Sequence, residues 1–244
     1  METAIKKIVI VGGGFAGVNF VKNIWKDDRY AVTLVDQDNY HFFPPLLYQV
    51  ATAFIEPSNL SYPFRRMFVG KNNMRFHFGQ LVKVNPDQNT IETSTGILNY
   101  DYLVLAIGTE TNYFGMDNVK QHSLPMKSID NSINLRNHLL LNMEKAVITD
   151  DAAEKKKLLN IVIAGGGPSG VEIAGMLAEM GATIARKEYP EISGVGSRIH
   201  LVDASPHLLG PMSKKAQDAA FRVLTKLGVQ IKLNTSVKDY VDGN

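Results

Sequence analysis

Residues 8–17 read Ile8-Val9-Ile10-Val11-Gly12-Gly13-Gly14-Phe15-Ala16-Gly17. Lys7 to Val11 is a short apolar run with β-branched residues. Clustered glycines follow it, and a helical spacing of apolar residues then continues to Trp25. Ala31 to Val35 again has the composition of a strand. The sequence therefore predicts a strand, a tight turn, a helix and a second strand, which together form a βαβ unit.

The same pattern returns in the second half of the chain. Asn160 to Ala164 predicts a strand, glycines cluster in residues 165–170, and a helical pattern continues to Ala185 before a strand at Arg198 to Val202. Because the strand repeats together with the glycines, we interpret the pattern as an internal repeat. It predicts an α/β fold with two Rossmann-type dinucleotide-binding domains in three layers.

Each glycine of the first cluster has its own function in such a unit. Gly12, Gly14 and Gly17 form the pattern GxGxxG. The first glycine permits a tight turn, the second lets the backbone approach a pyrophosphate, and the third lets the helix pack closely on the strand. The helix N-terminus presents unpaired amides to the phosphates. Asp36 follows the Val32–Val35 strand, where its carboxylate can accept hydrogen bonds from ribose hydroxyls.

The second cluster has glycines at the same three positions, Gly165, Gly167 and Gly170, and Asp203 closes the strand that follows. An acid at this position favours NADH, because it would repel the 2′-phosphate of NADPH. A plain strand-to-helix turn is the alternative interpretation of either cluster, and a single GxGxxG is weak evidence against it. Two copies, each followed by an acid after the next strand, favour dinucleotide binding.

The segments between the two clusters complete the domain organisation. Residues 75–100 alternate apolar and polar side chains and predict antiparallel hairpin strands, inserted before a buried strand at Tyr102 to Ile107. Apolar residues at helical spacing predict an amphipathic helix over residues 128–148. We place the first nucleotide-binding domain at residues 1–112 and the second at residues 113–244.

The C-terminal part predicts a helix over Ala216 to Leu227 and a strand over Val229 to Leu233. Asp242-Gly243-Asn244 is typical of a hairpin turn, and no returning strand follows it. We therefore expect the chain to be a truncated form, in which the first domain lacks its C-terminal return.

Composition excludes several classes of function. Of the 244 residues, 45% are hydrophobic and 20% charged, as is typical of a globular protein. The net charge is only +2 and the basic residues are scattered, so we do not expect nucleic acid binding. The absence of cysteine excludes disulfides, thiolate metal sites and thiol redox chemistry, and we predict no metal site. The sequence contains no stretch of about 18 apolar residues, so it predicts no membrane span.

Three further features are candidates for cofactor chemistry. Glu172 follows the second glycine cluster and is either an acid stabilised by the helix dipole or a group at a nicotinamide–flavin junction that orients the ring or relays protons. Residues 106–109, which end a buried strand, predict a second turn facing a cofactor. Residues 41–48 read His-Phe-Phe-Pro-Pro-Leu-Leu-Tyr and form either an apolar loop under the fold or a rigid wall against an isoalloxazine ring. His41 alone is compatible with a core or a surface histidine.

The order of these motifs resembles that of the two-dinucleotide-binding-domain flavoproteins and, within them, the type II NADH:quinone oxidoreductases. The resemblance covers nearly the whole chain. It rests on residues 8–17, on FPPLLYQVA at residues 43–51, on YDYLVLAIGT at residues 100–109 and on GGGPSGVE at residues 165–172. It implies that the first domain binds FAD and the second binds NAD(H).

The resemblance also implies the residues that hold each cofactor. Those expected to bind FAD are Gly12, Gly14, Phe15, Ala16, Gly17, Asp36, Gln37, Pro45, Val82, Ala106, Gly108 and Thr109. Those expected to bind NAD(H) are Gly165, Gly167, Pro168, Ser169, Gly170, Glu172 and Asp203. Glu172 matches a glutamate of the family that is proposed to act near the nicotinamide and the quinone pathway, so we expect it to be catalytic.

The function implied by the resemblance is that of a respiratory-chain NADH dehydrogenase. Such a flavoprotein passes a hydride from NADH to its flavin and electrons on to a membrane quinone, without pumping protons. NADH and a quinone are then the substrates, and we expect the full-length protein to lie peripherally on the cytoplasmic face of the membrane, as a possible homodimer. The present chain lacks the family's later quinone-binding and membrane-docking segments, so a truncated form can be inactive.

Two alternatives remain open from the residues. The chain could be an NADH-dependent reductase of a small electron-transfer protein, or a non-catalytic nucleotide-binding module. The aromatic and proline residues of the 43–48 loop favour the quinone family over the first alternative. Glutathione-reductase-like enzymes and sulfide:quinone reductases require cysteines, which this chain does not have, and are excluded.

Overall fold

The computed structural model describes residues 4–192, 195 and 198–241, and the side chains of residues 184–186 are not described. Two compact units are formed. The first contains Met1–Phe43 and Ser58–Glu110, and the second contains Pro44–Pro57 and Thr111–Asn244. The predicted turn at residues 242–244 lies outside the described residues.

In chain order the strands and helices are β1 (Lys6–Val11), α1 (Phe15–Ile24), β2 (Tyr30–Asp36), β3 (Tyr40–Phe42), α2 (Leu47–Ala51), β4 (Ser61–Pro63), α3 (Phe64–Met67), β5 (Met74–Phe78), β6 (Leu81–Asn85), β7 (Thr90–Thr93), β8 (Gly96–Asn99), β9 (Tyr102–Leu105), α4 (Asp117–His122), α5 (Ile129–Ile148), α6 (Ala152–Leu158), β10 (Asn160–Ala164), α7 (Pro168–Met180), α8 (Arg186–Glu188), β11 (Arg198–Val202), α9 (Lys214–Lys226) and β12 (Gln230–Lys232). Short 3₁₀ turns occupy Pro44–Leu46, Pro57–Asn59, Pro86–Gln88 and Pro190–Ile192, and a π-helical turn occupies Gly181–Ala185.

The first unit is built on a parallel sheet with the strand order β5-β2-β1-β9. The residues Ile8–Val11 of the central strand β1 are all buried, as expected for a parallel strand covered on both faces. Val18 and Val21 of α1 pack into the same apolar cluster as Ile8 and Ile10. The predicted βαβ unit and the predicted α/β fold class are confirmed.

Two predictions in this unit are wrong. The buried strand predicted over Tyr102 to Ile107 is β9, which ends at Leu105, and Tyr102, Leu105 and Ile107 are exposed.

The second wrong prediction concerns β5. Residues 75–78 were predicted to begin an antiparallel hairpin, but β5 pairs in parallel with β2, with Val32 opposite Met74. Met74 is buried and Phe76 packs against the core of the parallel sheet, so the alternation of this strand reflects a sheet edge with one covered face. The antiparallel segment is the separate sheet β6-β7-β8, which follows β5 in the chain.

The second unit repeats the arrangement with the parallel order β10-β11-β12. β10 and β11 have the predicted bounds. Helix α7 ends at Met180, and the predicted continuation to Ala185 is a π-helical turn. Helix α5 begins where predicted, because the Ser128 hydroxyl caps it by accepting a hydrogen bond of 3.1 Å from the Asn131 amide.

The segment Pro44–Pro57 belongs to the second unit, although it is close in sequence to the first. Ala51 of α2 is fully buried, and Tyr48 packs against the same apolar cluster as Leu139 of α5 and Leu177 of α7. The functional domain boundaries given above, 1–112 and 113–244, remain predictions. Among the described residues, no helix combines the length and apolar character needed to cross a membrane.

His200 on β11 makes the stability of the second unit sensitive to acid. Its Nδ1 is buried and, among the described residues, has no hydrogen-bond partner. Burial, together with the positive charges of Lys232 and Arg198, lowers the pKa of His200. The unfolded chain therefore binds a proton more readily than the native one, so stability is lost as pH falls through the unfolded pKa of about 6.5.

We expect His200→Gln to reduce this sensitivity, because glutamine does not take up a proton. Melting temperatures measured at pH 7.5 and pH 5.5 should then differ less in the variant than in the wild type. An equal difference in both proteins would show that protonation of His200 does not contribute to acid destabilisation.

Candidate functional site

The first glycine loop lies between β1 and α1, and its first and last glycines lie too close to backbone carbonyl groups for a larger residue. Gly12 has φ +104° and donates its amide to the Val35 carbonyl over 2.8 Å. A Cβ at Gly12 would lie 2.2 Å from the Ala106 carbonyl oxygen, and a Cβ at Gly17 would lie 1.8 Å from the Gly12 carbonyl oxygen. The loop therefore depends on glycine for both its turn and its contact with the helix.

The second loop, between β10 and α7, reproduces this geometry. Gly165 has φ +113° and its amide donates to the Val202 carbonyl over 2.8 Å. A Cβ at Gly170 would lie 1.8 Å from the Gly165 carbonyl oxygen. The sequence repeat is thus also a repeat of backbone conformation.

The middle glycines leave open space in front of the two helices. Gly14 and Gly167 are the N-cap residues of α1 and α7, and neither cap is closed by a side-chain hydrogen bond. A Cβ at either glycine would meet no atom within 4 Å. The residues that begin the helices are exposed; they are Phe15 and Ala16 in α1, and Pro168 and Ser169 in α7. This geometry fits a pyrophosphate that accepts hydrogen bonds from the first-turn amides.

Asp36, the last residue of β2, and Asp203, which follows β11, hold the glycine loops by hydrogen bonds. Asp36 accepts hydrogen bonds from the Gly13 amide at 2.5 Å and the Asp38 amide at 2.8 Å. Asp203 accepts hydrogen bonds from the Gly166 amide and, at 2.6 Å, from the Ser205 amide. Since each carboxylate oxygen has a second lone pair, both acids retain the capacity to bind ribose hydroxyls.

The sequence did not predict the buried side chains that pack against the two glycine loops. A Cβ at Gly13 would lie 2.1 Å from the ring of Phe64, and one at Gly166 would lie 2.6 Å from the Leu208 side chain. Phe64 and Leu208 are both almost completely buried. The available signal for this close packing was the additional glycine between the first and second glycines of each motif, Gly13 and Gly166.

The other residues expected to bind FAD occupy different surroundings. Ala106 donates its amide to the Val11 carbonyl over 2.7 Å, which places the turn after β9 beside the first loop. Gly108, with φ +74°, and Thr109 continue this turn and are exposed. Gln37 is exposed after β2, and Val82 is exposed on β6 beside a register shift. Their contacts with a cofactor remain predictions.

The stretch of residues 41–48 is divided between the units. His41 and Phe43 lie in the first unit, where their rings are 5.9 and 5.4 Å from the ring of Phe15. His41 Nδ1 lies 2.8 Å from the Gly13 carbonyl oxygen. Pro45 lies in an exposed 3₁₀ turn of the second unit. The structure does not decide between the apolar loop and the wall against a flavin, and the binding role of Pro45 remains a prediction.

Glu172 is the fifth residue of α7, because the helix begins at Pro168. It lies beyond the first turn, so the helix dipole acts on it only weakly. Desolvation raises the pKa of Glu172, although its side chain is exposed at the surface. The direction of this shift is opposite to the one that stabilisation by the helix dipole would cause.

The fold and the two loops define a protein with two Rossmann-type nucleotide-binding units. Residues 6–244 match the family described as pyridine nucleotide-disulphide oxidoreductase, and the chain belongs to this family. The sequence has no cysteine, so the disulphide in the family's description has no counterpart here.

Curated relatives confirm the resemblance to type II NADH:quinone oxidoreductases. The chain is 34% identical over 242 residues to the type II NADH:quinone oxidoreductase Ndh of Mycobacterium tuberculosis, with 98% of this chain and 52% of the relative covered. It is 28% identical over 249 residues to the mitochondrial external alternative NAD(P)H-ubiquinone oxidoreductase B2 of Arabidopsis thaliana, with 96% and 42% covered. The chain spans about half the length of the curated relatives it matches.

Solved structures also resemble the chain over nearly its whole length. NDH2 of Plasmodium falciparum in complex with NADH has a TM-score of 0.91 and 28% identity, with 98% of this chain and 50% of that chain covered. A ferredoxin reductase of Rhodopseudomonas palustris has a TM-score of 0.73 at 16% identity, with 97% and 52% covered. This second likeness shows the fold alone and does not bear on the electron acceptor.

The contact at Gly17 can be tested by comparison with Gly14. We expect Gly17→Ala to destabilise the first unit by roughly 1–3 kcal/mol or more, because its methyl group would overlap the Gly12 carbonyl oxygen. Gly14→Ala is the matched control, since open space surrounds that position. Urea unfolding followed by fluorescence of Trp25 would measure both effects, and equal stability of the two variants would contradict the proposed contact.

Proposed function

We propose that the chain binds FAD through its first unit and NADH through its second, and that it serves the oxidation of NADH by a quinone. The observation that carries this proposal is the paired set of glycine loops. Each loop leaves open space at its middle glycine, begins a helix, and is braced by an acid at the end of the next strand. Those are the requirements for holding a pyrophosphate and an adjacent ribose.

The assignment of FAD to the first unit is supported by the turn at residues 106–109, which follows β9. Ala106 packs against Gly12 and is followed by the exposed Gly108 and Thr109, so the backbone of this turn lies at the surface beside the first loop. In the proposed complex, the α1 N-terminus contacts the pyrophosphate and Asp36 contacts the ribose of the adenosine part. Gln37 and Val82 would then contact the adenosine part, and Pro45 the flavin edge.

The assignment of NADH to the second unit is supported by Asp203. Its carboxylate stands at the end of β11, where a 2′-phosphate would meet a negative charge. The solved relative from P. falciparum is a complex with NADH, and the M. tuberculosis relative is named an NADH:quinone oxidoreductase. We therefore propose NADH rather than NADPH as the electron donor.

The proposed reaction combines NADH, one proton and a quinone to give NAD⁺ and a quinol, and the flavin supplies the two-electron chemistry between donor and acceptor. Within this reaction Glu172 is proposed to relay the proton. Its raised pKa means that the carboxyl group stays protonated to a higher pH than an ordinary glutamate. A membrane quinone as acceptor requires access to a membrane, and we propose that the full-length protein lies peripherally on the cytoplasmic face as a homodimer.

Two loop variants test the assignment of the cofactors. We expect Gly14→Val to abolish retention of FAD and to leave NADH binding intact, because the side chain fills the space that the pyrophosphate needs in one unit only. Gly167→Val should weaken NADH binding at least tenfold and spare FAD. Flavin absorbance per mole of protein and titration of NADH fluorescence measure the two affinities, and circular dichroism checks folding. Equal loss of both ligands from both folded variants would contradict the assignment.

The proton relay can be tested through the choice of acceptor. With a short-chain quinone, we expect the rate of NADH oxidation to fall as pH rises through the raised pKa of Glu172, since the proton donor is then lost. Ferricyanide takes up electrons without protons and serves as the matched control, so its reduction should lack this dependence. Glu172→Gln should lower the quinone rate and remove its pH dependence.

The melting temperature of Glu172→Gln shows whether this variant is folded. A carboxyl group whose pKa is raised in the native state destabilises that state once pH exceeds the unfolded value of about 4.3. Glu172→Gln should therefore melt at the same or a higher temperature than the wild type at pH 7. A quinone rate with an unchanged pH profile in the folded variant would exclude Glu172 as the relay.

A further inference from the structure

The same peptide group is held in two different ways in the two glycine loops. In the second loop, the Gly166 carbonyl accepts a hydrogen bond of 2.8 Å from the backbone amide of Leu209. In the first loop, the corresponding Gly13 carbonyl lies 2.8 Å from Nδ1 of His41. A side chain thus replaces a backbone donor at the equivalent position of the repeat.

From this substitution we propose that His41 is a positioning residue for the FAD loop. The inference rests on the proposed function, in which the first unit binds FAD. Because the peptide bond between Gly13 and Gly14 is trans, its carbonyl and its N–H point in opposite directions. When His41 holds the Gly13 carbonyl, the Gly14 amide is therefore directed away from the imidazole.

The hydrogen bond also fixes the state of the imidazole. A carbonyl oxygen can only accept, so Nδ1 of His41 carries the hydrogen and donates it to Gly13. Asp36 accepts the amide of the same glycine from the opposite end of the residue. Gly13 is consequently held at both its N–H and its C=O, by side chains that come from β2 and β3.

His41 is well placed to act as a fixed donor. It lies on β3, which pairs with β4 so that His41 is opposite Tyr62. Its ring lies 5.9 Å from that of Phe15 and 6.5 Å from that of Phe64. Phe64 is completely buried and stacks on Phe76 at 5.0 Å, so the imidazole rests on part of the core of the first unit.

The consequence is a loop that is ordered before FAD binds. A loop already held in its binding conformation avoids the entropy cost of ordering on association. Loss of one hydrogen bond of ordinary strength corresponds to a roughly threefold to tenfold decrease in affinity. FAD affinity should therefore depend on the donor at position 41, whereas NADH affinity should not.

Two substitutions separate the donor from the ring. His41→Phe keeps an aromatic ring against Phe15 but cannot donate to Gly13. His41→Asn loses the ring but carries an amide nitrogen on Cγ, the position that Nδ1 occupies in histidine. The FAD dissociation constant, measured by quenching of flavin fluorescence on the full chain, should rise threefold to tenfold in His41→Phe and stay closer to the wild-type value in His41→Asn.

A spectroscopic readout without FAD completes the test. The carbonyl ¹³C resonance of Gly13 should move on loss of the hydrogen bond in His41→Phe, return toward the wild-type position in His41→Asn, and leave that of Gly166 unchanged. Wild-type FAD affinity in His41→Phe, or equal weakening in both variants, would overturn the inference. Failure of the wild-type chain itself to bind FAD would instead overturn the proposed function, so the two failures are distinguishable.

Discussion

Each unit depends on one close contact, in which the backbone of a helical glycine lies against a carbonyl oxygen of the preceding loop. A Cβ at Gly17 or at Gly170 would come within 1.8 Å of the carbonyl oxygen of Gly12 or Gly165. The contact sets the separation between the helix and its first strand, and it therefore places the helix N-terminus at the carboxyl end of that strand. The cap, the turn and the acid-braced loop all follow from the same constraint.

Much of the fold could be predicted because its parallel strands are short, mostly apolar runs that end at a glycine or an aspartate. β10 and β11 match their predicted bounds, and β1 and β2 do so within a residue at their ends. The pairing of β5 with β2 could not be predicted, since an alternating strand at a parallel edge looks like one in a hairpin. Nor could the sequence place Pro44–Pro57, whose position is decided by packing against distant helices.

In the candidate site, the glycines and the two acids followed from spacing, but their hydrogen bonds did not. Asp36 reaches Gly13 across 23 positions, Asp203 reaches Gly166 across 37, and His41 reaches Gly13 across 28. Contacts between a side chain and a distant backbone group leave no periodic signal in the sequence. His41 was therefore indistinguishable from any other histidine until the course of β3 was known.

Asp36 and Asp203 each have two roles, because the same carboxylate holds its glycine loop and is placed to recognise a ribose. Asp203 offers its remaining lone pairs to a ribose while its carboxylate already satisfies the amides of Gly166 and Ser205. Replacing it by a residue that tolerates a 2′-phosphate would also leave two backbone donors without their acceptor, at a cost of about 1–3 kcal/mol for each that stays buried. A change of nucleotide preference in this unit therefore requires a substitute acceptor for the Gly166 amide as well as a new positive charge, because the loop and the specificity are built on the same carboxylate.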